Sequence, residues 1–592
     1  MYRAPTKDLL FVLNDLIGAQ SLSACPDYAD YSPELAESVL DEAARFAQDV
    51  LDPLNKPGDL EGVHWSESGV KSAKGFKEAY AQFVEGGWPQ LATAVKHGGQ
   101  GMPLMLATAV HEILASANLS FKLCPMLTFG AIEALALCGT PAQQQTYMTR
   151  MVTGEWTGTM VLTEPQAGSD LAQVRTRAVP EGDHYRLFGQ KIFITWGEHD
   201  LTSNIIHMVL GRVDGAPTGV KGISLFIVPK VLVKEDGSLG ERNEVRCVSV
   251  EHKLGIHASP TCVMAYGSQK GAVAYLVGEE NRGLEYMFIM MNAARLAVGL
   301  EGYAVAERAF QQAAEFARGR VQGKPPGYAG SVPATIIHHP DVKRMLLSMK
   351  SSAEAMRALG LYAASQLDLA KHSTDARQRA AGQARGDLLI PIVKGWSTEL
   401  GIDVASLGIQ VHGGMGFIEE TGAAQYYRDV RITAIYEGTT GIQSNDLINR
   451  KLARDRGETM RTLIADVERE LQALAVDDAS TKVTQKAALE AAGLLREATD
   501  SMLQAISVAP ERALAVSVPY LKLSGYVLGG WLMAKASAIA ASRSSGKDAE
   551  YYAGKVRTAR FYAEHVLPTA LTLTRVVKVG AASVLETDAT LI

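Results

Sequence analysis

Paired cysteines are what this chain of 592 residues most plainly lacks: its five, Cys25, Cys124, Cys138, Cys247 and Cys262, are scattered and form no CxxC spacing. An odd number without such spacing excludes a zinc ribbon, a redox pair and a disulfide framework as organising devices, and points to buried thiols in a reducing compartment. No metal site is expected. An excess of one charge is missing too: 58 Lys and Arg face 64 Asp and Glu, a net of −6, which gives no general attraction to nucleic acid or anionic lipid. The run Met1-Tyr2-Arg3-Ala4-Pro5-Thr6-Lys7-Asp8 has no long apolar stretch followed by a small-residue cleavage site, so no secretory signal and a cytoplasmic location are expected. One apolar stretch, Leu523 to Ala541, is broken by Gly529-Gly530 and Lys535 and reads as a buried helix rather than a membrane span. Low-complexity segments and short internal repeats are also lacking.

What is present is ordinary globular composition, 47% hydrophobic and 21% charged, at a length that suggests about three or four domains. Ser32, Pro33 and Glu34 form a helix start, followed by Leu35, Val39, Leu40, Ala43, Phe46, Ala47 and Val50 on one face of a helix over 32–51. Similar spacing predicts helices over 71–86, 103–117 and 141–152, so residues 1–155 read as an all-helical amino-terminal domain. From about 156 the period shortens. Gly158–Leu162, Ile205–Leu210, Ile223–Val228 and Ala272–Val277 read as strands between Gly, Pro and Asp turns, which makes 156–278 a compact β domain. Helical periodicity resumes over 279–455, in segments near 284–318, 340–370 and 386–408, and continues through an extension over 456–592. Residues 451–592 hold 18 Lys and Arg against 16 Asp and Glu, a net of +2, so the tail is no basic arm.

Three runs carry chemistry. Tyr436-Glu437-Gly438-Thr439-Thr440-Gly441 sets a carboxylate between an aromatic ring, which lowers the local dielectric, and a turn with backbone N–H groups to spare for an oxygen or a phosphate. A carboxylate so placed is a candidate base; the bland alternative is a turn cap, or a pair with Arg431. Leu162-Thr163-Glu164-Pro165-Gln166-Ala167-Gly168-Ser169-Asp170 and Lys191-Ile192-Phe193-Ile194-Thr195-Trp196-Gly197 lie in the β domain. Their small residues let backbone approach an anion, although a plain turn and a half-buried strand account for the same residues.

Three motifs in this order, in helical, β and helical surroundings, resemble the acyl-CoA dehydrogenase family over roughly residues 30 to 450. The tail, with Trp196-Gly197-Glu198-His199-Asp200 and Glu251–His257, looks like its longer bacterial branch, which includes methylthiopropanoyl-CoA and long-chain fatty acyl-CoA dehydrogenases. The resemblance implies an α+β, mainly α fold: a helical bundle, a middle β-barrel-like domain and a second bundle, here with an additional carboxy-terminal helical domain. It also implies FAD, an acyl-CoA substrate converted to a trans-2-enoyl-CoA in fatty acid β-oxidation or related catabolism, and an electron-transfer flavoprotein as acceptor. Desaturating a thioester needs a base, an enolate stabiliser and a hydride acceptor, and no side chain accepts hydride.

By that resemblance Glu437 takes the α-proton, and its backbone N–H holds the thioester oxygen. Some family members carry the base just before an arginine on an earlier helix, but the matching residue here, Ala294, cannot take a proton. Leu162 and Thr163 match flavin-ring contacts. Gly168 and Ser169 match the turn that reaches pyrophosphate or substrate, and Phe193, Ile194 and Thr195 match the segment beside the isoalloxazine. Arg320, Gln410, Gly413 and Gly414 match groups that reach the FAD of a neighbouring subunit, so an oligomer, with a homodimer favoured, is expected. Thr439 is assigned to the cofactor and Gly438 to the substrate. Asn292 and Arg295 match the helix lining the acyl and pantetheine pocket, with Arg295 as readily pairing with a buried acid. His412 reads as a core histidine. Two alternatives stay open: an acyl-CoA oxidase using oxygen, and a flavin-containing DNA-binding damage-response protein of the same fold, against which the acidic total speaks.

Overall fold

The change of period near residue 156 marks the first strand of a sheet. In the computed structural model, which describes residues 1–476, 478–543 and 545–592, eight strands pair: β1 (Thr157–Val161), β2 (Arg177–Glu181), β3 (His184–Thr195), β4 (Ile205–Val213), β5 (Ser224–Pro229), β6 (Val245–Val250), β7 (Thr261–Tyr266) and β8 (Ala272–Leu276). Their order is β6-β7-β3-β8-β5-β4-β1, and β2 pairs with both β3 and β4. That double pairing closes a ring through β3, β8, β5, β4 and β2, a small barrel. Only β1 with β4 and β2 with β4 run parallel. Inward-facing Val161, Leu187, Ile194, Val209, Phe226 and Met264 share one apolar cluster.

Packing divides the chain into two units. The barrel belongs to a unit of Arg45–Met102 and Ala117–Ala294. Within it the helix Leu119–Cys138, capped by Asn118 accepting from the Phe121 N–H at 3.0 Å, lies on β1. The contact is close because Gly158 has no side chain: a Cβ there would stand 2.6 Å from Ala131 Cβ. This helix is, among the described residues, the one long and apolar enough to cross a membrane, and 72% of that window is buried in the protein.

The other unit comprises Met1–Ala44, Pro103–Ser116 and Arg295–Ile592 and is helical. Its frame is the hairpin of Pro340–His372 and Ala376–His412. One side of the second helix meets the helix Gly283–Gly319, whose Gly302 would put a Cβ 2.4 Å from the Ser397 carbonyl. Its other side meets the tail helix Ser517–Ser542, where Gly525 seats the Trp396 ring; a Cβ there would lie 2.1 Å from Cγ. Buried charges tie distant segments together. Arg357 reaches Glu112 at 2.6 Å, Glu307 at 2.8 Å and Asp8 at 3.5 Å, and Lys555 of the extension reaches Asp8 at 3.3 Å and Glu354 at 2.8 Å. Each desolvated charge costs several kcal/mol unless paired, so the network holds these segments to one another.

The fold is mainly helical, with the barrel in mid-chain and further helices after residue 456, as expected. Details differ. The predicted helix over 71–86 begins only at Phe76, because Gly69–Lys71 pairs with His64–Ser66 in a short hairpin. That hairpin also makes the first 155 residues not wholly helical. The helix Leu119–Cys138, which holds Pro125 inside it, and β3 are further elements that the sequence pattern did not delimit. Leu523–Ala541 is part of a helix buried along most of its length, not a span.

Gly525→Val would drive a branched side chain into Trp396. It is expected to lower stability by about 1–3 kcal/mol or more, read as a fall in the thermal midpoint; an unchanged midpoint would contradict this packing.

Candidate active site

In the barrel unit the two β motifs are clamped to each other. Lys191, fully buried on β3, donates to the Leu162 carbonyl at 2.8 Å and pairs with Glu164 at 2.9 Å, while the Ile192 N–H donates to the Thr163 carbonyl at 2.9 Å. Glu164 also accepts from the Arg175 N–H, the Thr176 N–H and the Thr176 hydroxyl at 2.6–3.0 Å. These donors and Lys191 hold its carboxyl down to about 2 against the penalty of burial, while burial pulls Lys191 down to about 8. Glu164 is therefore a structural hub. Ile194 and Thr195 pair with Cys262 and Thr261 of β7, and the Thr159 hydroxyl donates to the Thr195 carbonyl at 2.7 Å.

Phe193 and Trp196 both take left-handed backbone, at φ 59° and 52°. The arch turns the two rings to different fates. Trp196 is buried and donates through Nε1 to the Ser120 carbonyl at 3.2 Å, whereas Phe193 is 58% exposed. Near the ends of the same strands the hydroxyls of Thr163, Ser169 and Thr195 make no hydrogen bond among the described residues, and a Cβ on Gly168 would meet nothing within 4 Å.

In the helical unit, Glu437 follows the short helical turn Arg431–Ala434 and precedes the helix Thr440–Asp446, whose cap is the Thr439 hydroxyl. Its backbone is left-handed, φ 52°, and Gly438 follows at 91°, a strain of about 1–2 kcal/mol for a residue with a Cβ. Gly438 is required: a Cβ would stand 2.8 Å from Gln443 Nε2. That amide donates to the Glu437 and Gly438 carbonyls at 3.1 Å each, and buried Lys394 donates to the Gly438 carbonyl at 2.6 Å. Both carbonyls are thus turned inward. The Glu437 N–H finds no acceptor among the described residues, and its carboxylate finds no donor.

Burial pushes the Glu437 carboxyl up to about 7; Lys394 and Arg295 pull it down, and Glu301 pushes it up. Arg431, the alternative partner, is exposed and forms no pair with it. Arg295 is buried and pairs with Asp446 at 3.1 Å, so its charge serves an acid behind the loop. Burial pulls Lys394 down to about 8.

The remaining candidates are spread out. Asn292 is half-buried on the helix Gly283–Gly319 and falls in the barrel unit. Arg320, Gln410, Gly413 and Gly414 are exposed in the helical unit, and a Cβ on either glycine would meet nothing within 4 Å. Met415 and Phe417 beside them are exposed apolar residues. His412 is buried against Phe316 and hydrogen-bonds the Gly408 carbonyl, a core histidine.

Residues 33–155, 159–267 and 281–452 match the acyl-CoA dehydrogenase amino-terminal, middle and carboxy-terminal domains, and 459–588 match an acetyl-CoA dehydrogenase C-terminal-like domain. The chain is 47% identical to the 3-methylmercaptopropionyl-CoA dehydrogenase of Ruegeria pomeroyi, over 96% of each protein. The chain belongs to the acyl-CoA dehydrogenase family. It is also 33% identical to a broad-specificity linear acyl-CoA dehydrogenase of Mycobacterium tuberculosis, over 99% of each. An acyl-CoA dehydrogenase of Bacillus anthracis solved with FAD shares the fold, at a TM-score of 0.74 and 20% identity over 96% of this chain and 91% of that one.

Members of the acyl-CoA dehydrogenase family are oxidoreductases that bind FAD. The residues present fit that cofactor: an exposed aromatic plane at Phe193, unpartnered hydroxyls at Thr163, Ser169 and Thr195, and open backbone at Gly168. Sequence reasoning missed Lys394, Gln443 and Glu301. For Lys394 a signal existed, one lysine inside the apolar run Leu388–Trp396 of a long helix.

Two outcomes follow from these environments. Since the Glu437 carboxyl takes up a proton near 7, a reaction that uses its ionised form is expected to show kcat/KM for an acyl-CoA falling as pH drops through about 7; a profile flat from about pH 5.5 to 8.5 would contradict such a use. Lys191→Met leaves the Glu164 carboxylate buried without its cation, which is expected to cost about 3–5 kcal/mol and to lower the thermal midpoint and FAD content together.

Proposed function

We propose that this acyl-CoA dehydrogenase removes the α-proton of an acyl-CoA thioester with Glu437, yielding the trans-2-enoyl-CoA. One observation carries the reading: Glu437 is a carboxylate raised to about 7 with no hydrogen bond of its own, next to backbone whose N–H is unclaimed. A base needs just that combination, an affinity for protons near working pH and no partner to displace. The Glu437 N–H, which no backbone acceptor claims, would donate to the thioester oxygen as negative charge grows there.

FAD, when bound, supplies the hydride acceptor that no side chain offers. Leu162, Thr163, Gly168, Ser169, Phe193, Ile194, Thr195 and Thr439 are assigned to it, and Arg320, Gln410, Gly413 and Gly414 to the cofactor of a neighbouring copy of the chain. The exposed Phe417, 85% accessible, and Met415 beside those glycines support a homodimer. Asn292, Arg295 and Gly438 are assigned to the substrate side. Electrons would pass to an electron-transfer flavoprotein, within acyl-CoA catabolism in the cytoplasm.

The 47% identity to the Ruegeria enzyme supports a 3-methylmercaptopropionyl-CoA substrate, and the Mycobacterium relative supports linear acyl chains as the second class. The test is turnover of 3-methylmercaptopropionyl-CoA and of linear acyl-CoAs of rising length with a dye acceptor, on wild type and Glu437→Gln. The variant is expected to stay folded and yellow and to lose about 100- to 10,000-fold in kcat; near-wild-type turnover would remove Glu437 from its role.

A further inference from the structure

Lys394 is 0% exposed, yet it forms no ion pair within 4 Å among the described residues; its one hydrogen bond is to the Gly438 carbonyl at 2.6 Å. A buried ammonium without a counterion costs several kcal/mol, and a lysine kept only for packing is more stable as methionine or leucine. We propose that Lys394 is a positioning residue of the active site: it fixes the Gly438–Thr439 peptide next to Glu437 and sets a positive charge near the Glu437 carboxylate without bonding to it. The proposal rests on the reading of Glu437 as the base.

Three features make the arrangement specific. First, the ammonium bonds the carbonyl after Glu437 rather than the carboxylate. A direct ion pair lowers a carboxyl by about 1–3 pH units and takes away its basicity, whereas full burial without a nearby cation raises it beyond use. A cation held beyond 4 Å lies between these limits.

Second, the other charges around the pair are already engaged. Tyr436 donates to Glu301, Arg295 pairs with Asp446 at 3.1 Å, Arg450 reaches Asp446 at 3.6 Å, and Glu399 holds the Thr440 hydroxyl at 2.7 Å and Lys522 at 3.3 Å.

Third, Lys394 cannot reach water. Its neighbours on the helix are packed on both sides: a Cβ on Gly299 would lie 2.7 Å from Val393 Cγ1, and one on Gly395 would lie 2.7 Å from Leu521 of the tail helix. Long lysine stems usually lead the charge to the surface, and here that path is closed. The extension takes part in this packing: Leu521 of its helix Ser517–Ser542 abuts Gly395, and Ser517 bonds Ser444 of the helix after Glu437 at 3.0 Å.

Lys394→Gln keeps a donor at this place and removes the charge; Lys394→Arg keeps the charge. The measurements are pH profiles of kcat/KM, with bound-FAD absorbance and thermal midpoint as controls. Lys394→Gln is expected to move the acid limb upward by about one pH unit. It would then run about tenfold below wild type at pH 6 and converge with it near pH 9, while Lys394→Arg keeps the wild-type limb with a lower kcat. A Lys394→Gln limb at the wild-type pH overturns the proposal. If that variant does not fold, Lys394→Arg decides: a limb displaced by about a unit with the charge retained overturns it equally. Glu437→Gln run in parallel separates the two readings, since an active Glu437→Gln defeats the base and an unmoved Lys394→Gln beside an inactive Glu437→Gln defeats only Lys394.

Discussion

A carboxylate takes a proton from carbon near neutral pH only if burial raises its affinity for protons and a cation keeps that rise in bounds, and around Glu437 the two effects are supplied by different elements. Burial comes from the helices that pack about the loop. The cations are Lys394 and Arg295; the charge of Lys394 is stabilised by the Gly438 carbonyl and by the surrounding field of Glu437, Glu301 and Glu399. Left-handed backbone at Glu437 and Gly438 then places their carbonyls toward Gln443 and Lys394 and leaves the Glu437 N–H without an acceptor among the described residues.

The helices behind the loop approach so closely because side chains are missing at the crossings. Gly302 meets the Ser397 carbonyl, Gly395 meets Leu521 and Gly525 meets Trp396. Dispersion falls off steeply with separation, so these absences convert apolar length into rigid packing. The extension, which the composition showed only as rich in Ala and Leu, is part of that packing. Through Lys555 it also joins the buried charge network of Asp8, Glu354 and Arg357.

In the barrel unit the logic is similar with charges reversed. Glu164, which stands inside the first β motif, is committed to Lys191 and to the Arg175–Thr176 backbone, and so joins the two motif segments. Thr163, Ser169 and Thr195 keep their hydroxyls free. The strained arch over Phe193–Trp196 separates a buried ring from an exposed one, a division that no periodicity predicts, because both residues are large and apolar and differ only in backbone conformation.

Much of this was legible in the chain. Helical, β and helical periods, the motifs around Thr163, Thr195 and Glu437, and Ala294 in place of a second acid are local facts, fixed by covalent order and short-range preference. The start of the predicted 71–86 helix was misplaced because pairing of Gly69–Lys71 with His64–Ser66 overrides the local helical pattern. The proton affinity of Glu437, the pairing of Arg295 with Asp446, the absence of a pair between Arg431 and Glu437 and the lone buried charge of Lys394 were decided only by tertiary structure. Dielectric and charge separation depend on residues far apart in sequence, and no local pattern carries that distance.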